Sequence, residues 1–320
     1  MKFIDASTVH RALDYSALIA GLKQLHLDDT HKIEDLLLEQ PVREHHSNHL
    51  LIRAAWQYDQ AIGMKMVTVF PGNNTRRKSL PAIQAVYVLF DGVNGEPLAA
   101  VDGVALTCRK TAADSALGAS YLAPRDAKHL LMVGAGAMAP HLIAAHKAAR
   151  PTINRVTIWN RTPEKARHLA ETLELDGLSV ECAAELEQAV RSADIVSCAT
   201  MSRQPLIYGD WLSPHTHLDL VGAFTADMRE ADDACFGNCT VFVDSRQTTV
   251  LDVGEIMIPI ANGVMTAEDI VADLYDLCRN KHPGRRNADE ITLFKNGGGG
   301  HLDLMTTRFL LDRIKGVSVE

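Results

Sequence analysis

The feature that most restricts this chain of 320 residues is one short turn. Leu130-Leu131-Met132-Val133 is an apolar run of strand character. Gly134-Ala135-Gly136-Ala137-Met138-Ala139 follows it directly and opens a helical stretch. This is the G-x-G-x-x-(G/A) form of a dinucleotide-binding turn. Gly134 allows the tight turn, Gly136 lets backbone approach a pyrophosphate, and Ala139 permits close helix–strand packing. The helix start then offers amides and partial positive charge to phosphate. Such a motif is weak alone, so its surroundings decide.

The surroundings agree with it. Strand-like runs at residues 129–133, 155–159, near Val180, and at 195–199, 217–221 and 241–243 alternate with helical stretches at 138–149, 163–173 and 184–191. That rhythm predicts βαβ units and a parallel sheet. Residues 125–295 are therefore expected to form an α/β, Rossmann-type doubly wound domain. Residues 1–124 read differently. A helical pattern over about 7–38 precedes β-rich runs at 63–70, 82–90 and 98–102, separated by Pro71-Gly72-Asn73-Asn74 and Asp91-Gly92-Val93-Asn94-Gly95. This is an α+β lobe, followed by a small-residue helix at 112–122. Asn296 and Gly297 to Gly300 form an expected flexible joint, and residues 296–320 supply a closing helix that returns to the first lobe.

Composition removes several function classes. With 47% apolar and 22% charged residues the chain is globular in type. A net charge of −8 argues against nucleic-acid partners. The longest uncharged apolar stretch, 130–140, is far below the ~20 residues of a membrane helix. The first residues carry Asp5, Arg11 and Asp14 and lack the core of a secretion signal, so a cytoplasmic location is expected. Six cysteines without paired spacing read as reduced thiols. Neither Cys235/Cys239 nor His45, His46 and His49 has the companions of a zinc site, although His45 and His49 could share a helix face. No metal is expected.

The end of the second strand of the α/β domain bears on cofactor choice. A site for NAD places Asp or Glu there, whereas this chain has Asn160-Arg161-Thr162 with Lys165 one turn on. Arg161 can take a 2′-phosphate bidentately and Thr162 can donate to it, so NADP(H) is preferred, with NAD(H) possible. The same residues also suit a solvated helix start. Later strands end at Ala199-Thr200-Met201-Ser202 and Val221-Gly222-Ala223, where ligands sit in open α/β sheets.

Together several segments resemble the ornithine cyclodeaminase/mu-crystallin family. They are Gly63-Met-Lys65-Met-Val-Thr-Val-Phe-Pro-Gly72, Asp102-Gly103 with Leu106-Thr107, and Thr111-Ala112-Ala113. The glycine turn, Ile158-Trp-Asn-Arg-Thr162, Gly209-Asp-Trp-Leu212, Val243-Asp-Ser245 and Thr292-Leu-Phe-Lys295 complete them. The resemblance implies a homodimer whose first lobe supplies the interface and the substrate pocket, beside a Rossmann domain for NAD(P)(H). The cofactor-contact candidates are Thr111, Gly134, Gly136, Ala137, Met138, Asn160, Arg161, Thr162, Lys165, Thr200, Met201, Ser202, Val221, Gly222 and Ala223.

The same resemblance implies that cations of the first lobe grip a substrate carboxylate. Arg43 and Lys65 match two positions; the third, usually arginine, is Lys110, with Arg109 before it. Cyclodeaminases and related alanine dehydrogenases carry a proton-transferring Asp at the loop where this chain has Phe224. The pattern Asp227-x-Arg229-Glu230 is instead similar to mu-crystallin and bacterial imine-reducing relatives. The expected activity is thus NAD(P)H-dependent reduction of a small cyclic imino acid, Δ1-pyrroline-2-carboxylate or Δ1-piperideine-2-carboxylate, to L-proline or L-pipecolate. The proton would come from the iminium itself, from Lys65 or from water. Lys65 and Asp227 are the catalytic candidates, Asp227 equally readable as a structural pair with Arg229. Ornithine cyclodeamination, dehydrogenation of alanine or an N-alkyl amino acid, and a non-catalytic binding protein are the alternatives. His301 has two readings, one facing the site and one within a plain connector.

Overall fold

The computed structural model describes residues 1–30, 32–42, 47–75, 80–173 and 175–317. Arg43, His45 and His46 of the sequence analysis lie outside them. The chain divides into two compact units, residues 1–110 with 299–320, and residues 111–298.

The first unit holds β1 (Lys2–Ile4), β2 (Lys32–Gln40), β3 (Asn48–Gln57), β4 (Ala61–Val69), β5 (Ile83–Asp91) and β6 (Pro97–Asp102). They form one sheet in the order β1-β6-β5-β4-β3-β2, antiparallel except for β1 beside β6. Two helices, Ala6–Ala12 and Tyr15–Leu25, follow β1. Each is started by an aspartate, Asp5 accepting from the Thr8 amide and Asp14 from the Ala17 amide.

The helical pattern expected to reach Leu38 stops at Leu25. Leu36-Leu37-Leu38 satisfies helical and strand periods alike, and cross-strand pairing decides between them: β2 pairs with β3 from Lys32 opposite Trp56 to Gln40 opposite Asn48. His49 therefore sits in β3 and not on a helix.

The sheet has two unlike faces, because side chains alternate along each strand. One face carries Gly63 and Lys65 of β4, both buried, and the closing helix Gly300–Val317 packs against β3 and β4. The other carries Leu36, Leu38, Leu50, Ile52, Trp56, Met64, Met66, Val86 and Val88. Of these, Leu36, Leu38 and Trp56 are 52%, 50% and 43% exposed.

The second unit holds β7 (His129–Val133), β8 (Arg155–Trp159), β9 (Ser179–Cys182), β10 (Ile195–Cys198), β11 (His217–Leu220), β12 (Thr240–Val243), β13 (Ile270–Asp273) and β14 (Thr292–Lys295). All pair in parallel, in the order β13-β12-β14-β11-β10-β7-β8-β9. The strands β7, β10, β11 and β14 are buried along their whole length, as a sheet covered on both faces requires. Strand order reverses between β7 and β10, which opens a crevice at their carboxyl ends.

The helix Gly103–Leu122 runs through the division of the chain. Its small residues explain why residues 111–122 fall in the second unit, ahead of the expected joint at 124. Ala112, Ala113, Ala116 and Ala119 are fully buried, and a side chain at Gly118 would press on the Phe294 ring of β14 at 3.0 Å. The expected flexible joint after Asn296 is pinned instead. Asn296 donates to the Thr111 carbonyl and the Ser115 hydroxyl, and the buried Asp244 carboxylate accepts from the amides of Gly297 and Gly298 at 3.1 and 2.6 Å.

Candidate active site

The glycine turn follows β7 as the motif requires. Gly134 has φ +106°, a conformation open to glycine, and a side chain there would meet the Ala199 carbonyl at 2.6 Å. A side chain at Gly136 would meet nothing within 4 Å, so that position faces open space. The helix Ala139–Ala149 begins just beyond, and its N-cap Met138 has no side-chain acceptor to offer the first amides. A cleft of about 300 Å³ lies here, bordered by Gly134, Gly136, Trp159, Asn160, Arg161, Thr162, Lys165, Thr200, Met201 and Ser202.

Asn160 holds the rim together. Its carboxamide oxygen accepts from the Ala135 amide at 3.1 Å and its nitrogen donates to the Thr162 carbonyl at 2.9 Å. Arg161 and Lys165 are exposed at the same rim, and neither has an ion-pair partner among the described residues. An uncommitted pair of cations beside a glycine turn and an uncapped helix fits a phosphate-bearing dinucleotide.

Beneath the cleft sits a buried acidic group that sequence reasoning quoted without a role. Glu230 accepts from the Thr200 amide at 2.6 Å, the Thr200 hydroxyl at 2.8 Å and the Gly222 amide at 2.7 Å. Glu255 accepts in turn from the amides of Glu230 and Ala231. Burial raises the Glu230 carboxyl against the pull of Lys295. Burial, then the charge of Glu230, pushes Glu255 up to about 7.

The first unit contains a second buried constellation. Asp35, Arg53, Lys65 and Tyr87 are register partners across β2 to β5 and so form one row on the face under the closing helix. From that helix Asp303 meets both lysines: Lys65 Nζ lies 2.8 Å from Oδ2, and Lys110 Nζ 3.3 Å from Oδ1. Lys65 also donates to the Thr107 hydroxyl and Lys110 to the Gly299 carbonyl. Arg53 pairs with Asp35 at 2.9 Å.

The charges shift one another. Burial lowers Lys65 to about 7; Lys110 and Arg53 push the same way, and Asp303 opposes them. Burial would raise Asp303, but Lys110 and Lys65 outweigh it and hold the carboxyl below its usual range. Cations outnumber carboxylates in this group, which leaves capacity for one more anion.

Two expectations need correction. Asp227 does not pair with Arg229: it stands 63% exposed and binds Arg203 at 2.6 Å and the Thr225 hydroxyl, whereas Arg229 binds Asp233. Those two bonds, the Thr225 hydroxyl first, hold its carboxyl below the usual range. Arg109, the residue before Lys110, binds His10 and stacks on Tyr15. His301 is not a surface connector residue but fully buried in the first turn of the closing helix, and burial pushes its pKa well below the usual value. Phe224 is half exposed, and no metal-holding group of acids, histidines and cysteines exists among the described residues.

Asp35, Arg53, Asp303 and Glu255 of these constellations were missed. The signal for Asp303 was a lone acid within the apolar Leu302-x-Leu304-Met305, since such an acid is buried only with a partner.

Comparison with known proteins bears on all of this. The profile of the ornithine cyclodeaminase/mu-crystallin family matches residues 24–318. A Δ1-pyrroline-2-carboxylate reductase of Paracoccus denitrificans (strain Pd 1222) is 46% identical over 311 residues, spanning 97% of this chain and 96% of its own. The ketimine reductase mu-crystallin of Mus musculus is 29% identical over 316 residues, 97% of this chain and 96% of its own. The solved structure of Thermococcus litoralis Δ1-pyrroline-2-carboxylate reductase in complex with NADH and L-proline superposes with a TM-score of 0.90. It is 28% identical and the match covers 100% of this chain and 99% of that one. Motifs, fold and relatives agree over nearly the full length, and the chain belongs to the ornithine cyclodeaminase/mu-crystallin family.

Proposed function

We propose that this protein is a ketimine reductase acting on Δ1-pyrroline-2-carboxylate or Δ1-piperideine-2-carboxylate to yield L-proline or L-pipecolate. The observation that carries the reading is Lys65, a buried lysine that burial lowers to about 7 and that shares the Asp303 carboxylate with Lys110. The identity to a reductase of Paracoccus denitrificans supports it.

Imine reduction requires a held carboxylate, a hydride at the C=N carbon and a proton at nitrogen. When bound, a reduced nicotinamide dinucleotide supplies the hydride. Lys110 and Arg43 would hold the carboxylate throughout, and Lys65 would grip it and then protonate the nitrogen. Asp303 keeps Lys65 charged enough for that role. Asp227 would order its loop through Arg203. In the second unit, Thr111, Ala137, Met138, Thr200, Met201, Ser202, Val221, Gly222 and Ala223 would complete the cofactor contacts. Arg161 and Lys165 favour NADP(H) over NAD(H).

The apolar sheet face of the first unit, with Leu36, Leu38 and Trp56 exposed, supports a homodimer formed through it. All six cysteines are free thiols, which suits a reducing compartment such as the cytoplasm. No helix among the described residues is long and apolar enough to cross a membrane.

Several outcomes test this. Nicotinamide absorbance should fall with either cyclic imine, while ornithine releases no ammonia; the reverse pattern would discard the reductase. Because the ammonium form of Lys65 is the donor, kcat/KM should decline as pH rises through about 7. Lys65→Met should lose about 100-fold or more. Asp303→Asn removes the charge that favours the ammonium, so its decline should begin at lower pH; an unmoved profile would exclude Lys65 as donor. Arg161→Ala should raise the KM for NADPH about tenfold and leave that for NADH unchanged. Equilibrium sedimentation should give a dimer that Met66→Glu splits into monomers.

A further inference from the structure

Three backbone segments converge at the carboxyl ends of β7, β10 and β11. Gly134 approaches Ala199 so closely that a side chain would meet its carbonyl at 2.6 Å. A side chain at Gly222 would meet the Thr200 carbonyl at 2.0 Å, the Thr200 amide at 2.4 Å and a Glu230 carboxylate oxygen at 2.5 Å. The turn after β7 therefore touches the loop after β10, and that loop touches the one after β11. Thr200 itself borders the dinucleotide cleft.

We propose that Glu230 is a positioning residue for the cofactor: its buried carboxylate ties the loop after β10 to the loop after β11 and so sets the wall of the cleft. One oxygen takes both donors of Thr200 and the other takes the Gly222 amide. Each oxygen thus serves a different loop. The segment bearing Glu230 is itself held from behind, since Glu255 accepts its amide and that of the next residue.

A clamp of this kind is a costly way to gain stability alone. Two carboxylates are fully buried within one cluster, and apolar side chains of similar size commonly stabilise a fold as well or better. What an apolar residue cannot do is accept three donors from two loops at once. The order imposed here falls on Thr200, where the cleft is lined, rather than on a distant part of the sheet.

The inference rests on the reading of the cleft as the dinucleotide site, and one titration separates the two. NADH and NADPH fluorescence is followed on the full chain, wild type and Glu230→Gln. Glutamine keeps the size but offers one acceptor, leaving the second oxygen's donor facing an NH2 group. Wild type should bind a dinucleotide; absence of binding would remove the cleft reading itself. With wild type binding, the variant's Kd should rise at least tenfold while its KM for the imine stays within twofold. A folded variant with a Kd within twofold of wild type would overturn the proposal. If Glu230→Gln does not fold, Thr200→Val, which loses the hydroxyl donor, is compared with Thr200→Ser, which keeps it. The valine variant should bind several-fold more weakly than the serine variant, and equal affinities would likewise overturn the proposal.

Discussion

A lysine ammonium shut away from water is tolerated only where negative charge and hydrogen bonds replace its hydration. The first unit buries two, Lys65 and Lys110, and a single carboxylate, Asp303, answers both. That arrangement dictates much around it. The row Asp35, Arg53, Lys65, Tyr87 must share one sheet face, and the helix bearing Asp303 must cover that face. The surplus of cations over carboxylates leaves the group with unanswered positive charge in a dry interior.

The second unit solves a different problem with related means. Its sheet is of a widely used kind, and what individualises it is the treatment of the strand ends. Glycines at 134 and 222 let backbone segments come closer than any side chain would allow. Closeness alone leaves amides and hydroxyls in need of acceptors, and Glu230 meets that need with one side chain. Small residues and buried carboxylates suffice.

The α/β half was easily read because its signals are local. A glycine turn, apolar strands and their spacing all lie within a few residues, and the strands at 129–133 and 155–159 fell where expected. The misreadings came where partners are distant. β2 was taken as helix because three consecutive leucines fit both periods, and only its pairing with β3 resolves them. β13 and β14 were overlooked as strands, being four residues each and bounded by polar side chains. The family's pattern singles out Lys65 and Lys110, whereas Asp303 lies 238 positions from Lys65 and its own neighbours signal only that it is buried with some partner. A pair with its neighbour Arg229 is one of two readings the sequence allows for Asp227, and loop geometry gives it Arg203 instead.

The first unit is discontinuous: residues 1–110 are joined by residues 299–320. During synthesis the ribosome delivers the N-terminal sheet long before the helix that supplies Asp303. Until then two lysines destined for burial have no counter-charge, and the sheet face prepared for that helix lacks its cover. The Rossmann-type unit, contiguous in the chain, has no such wait. The part of the protein made first is therefore the part finished last, and a chain stopped short of its final helix would be left with an N-terminal sheet unable to bury its own charges.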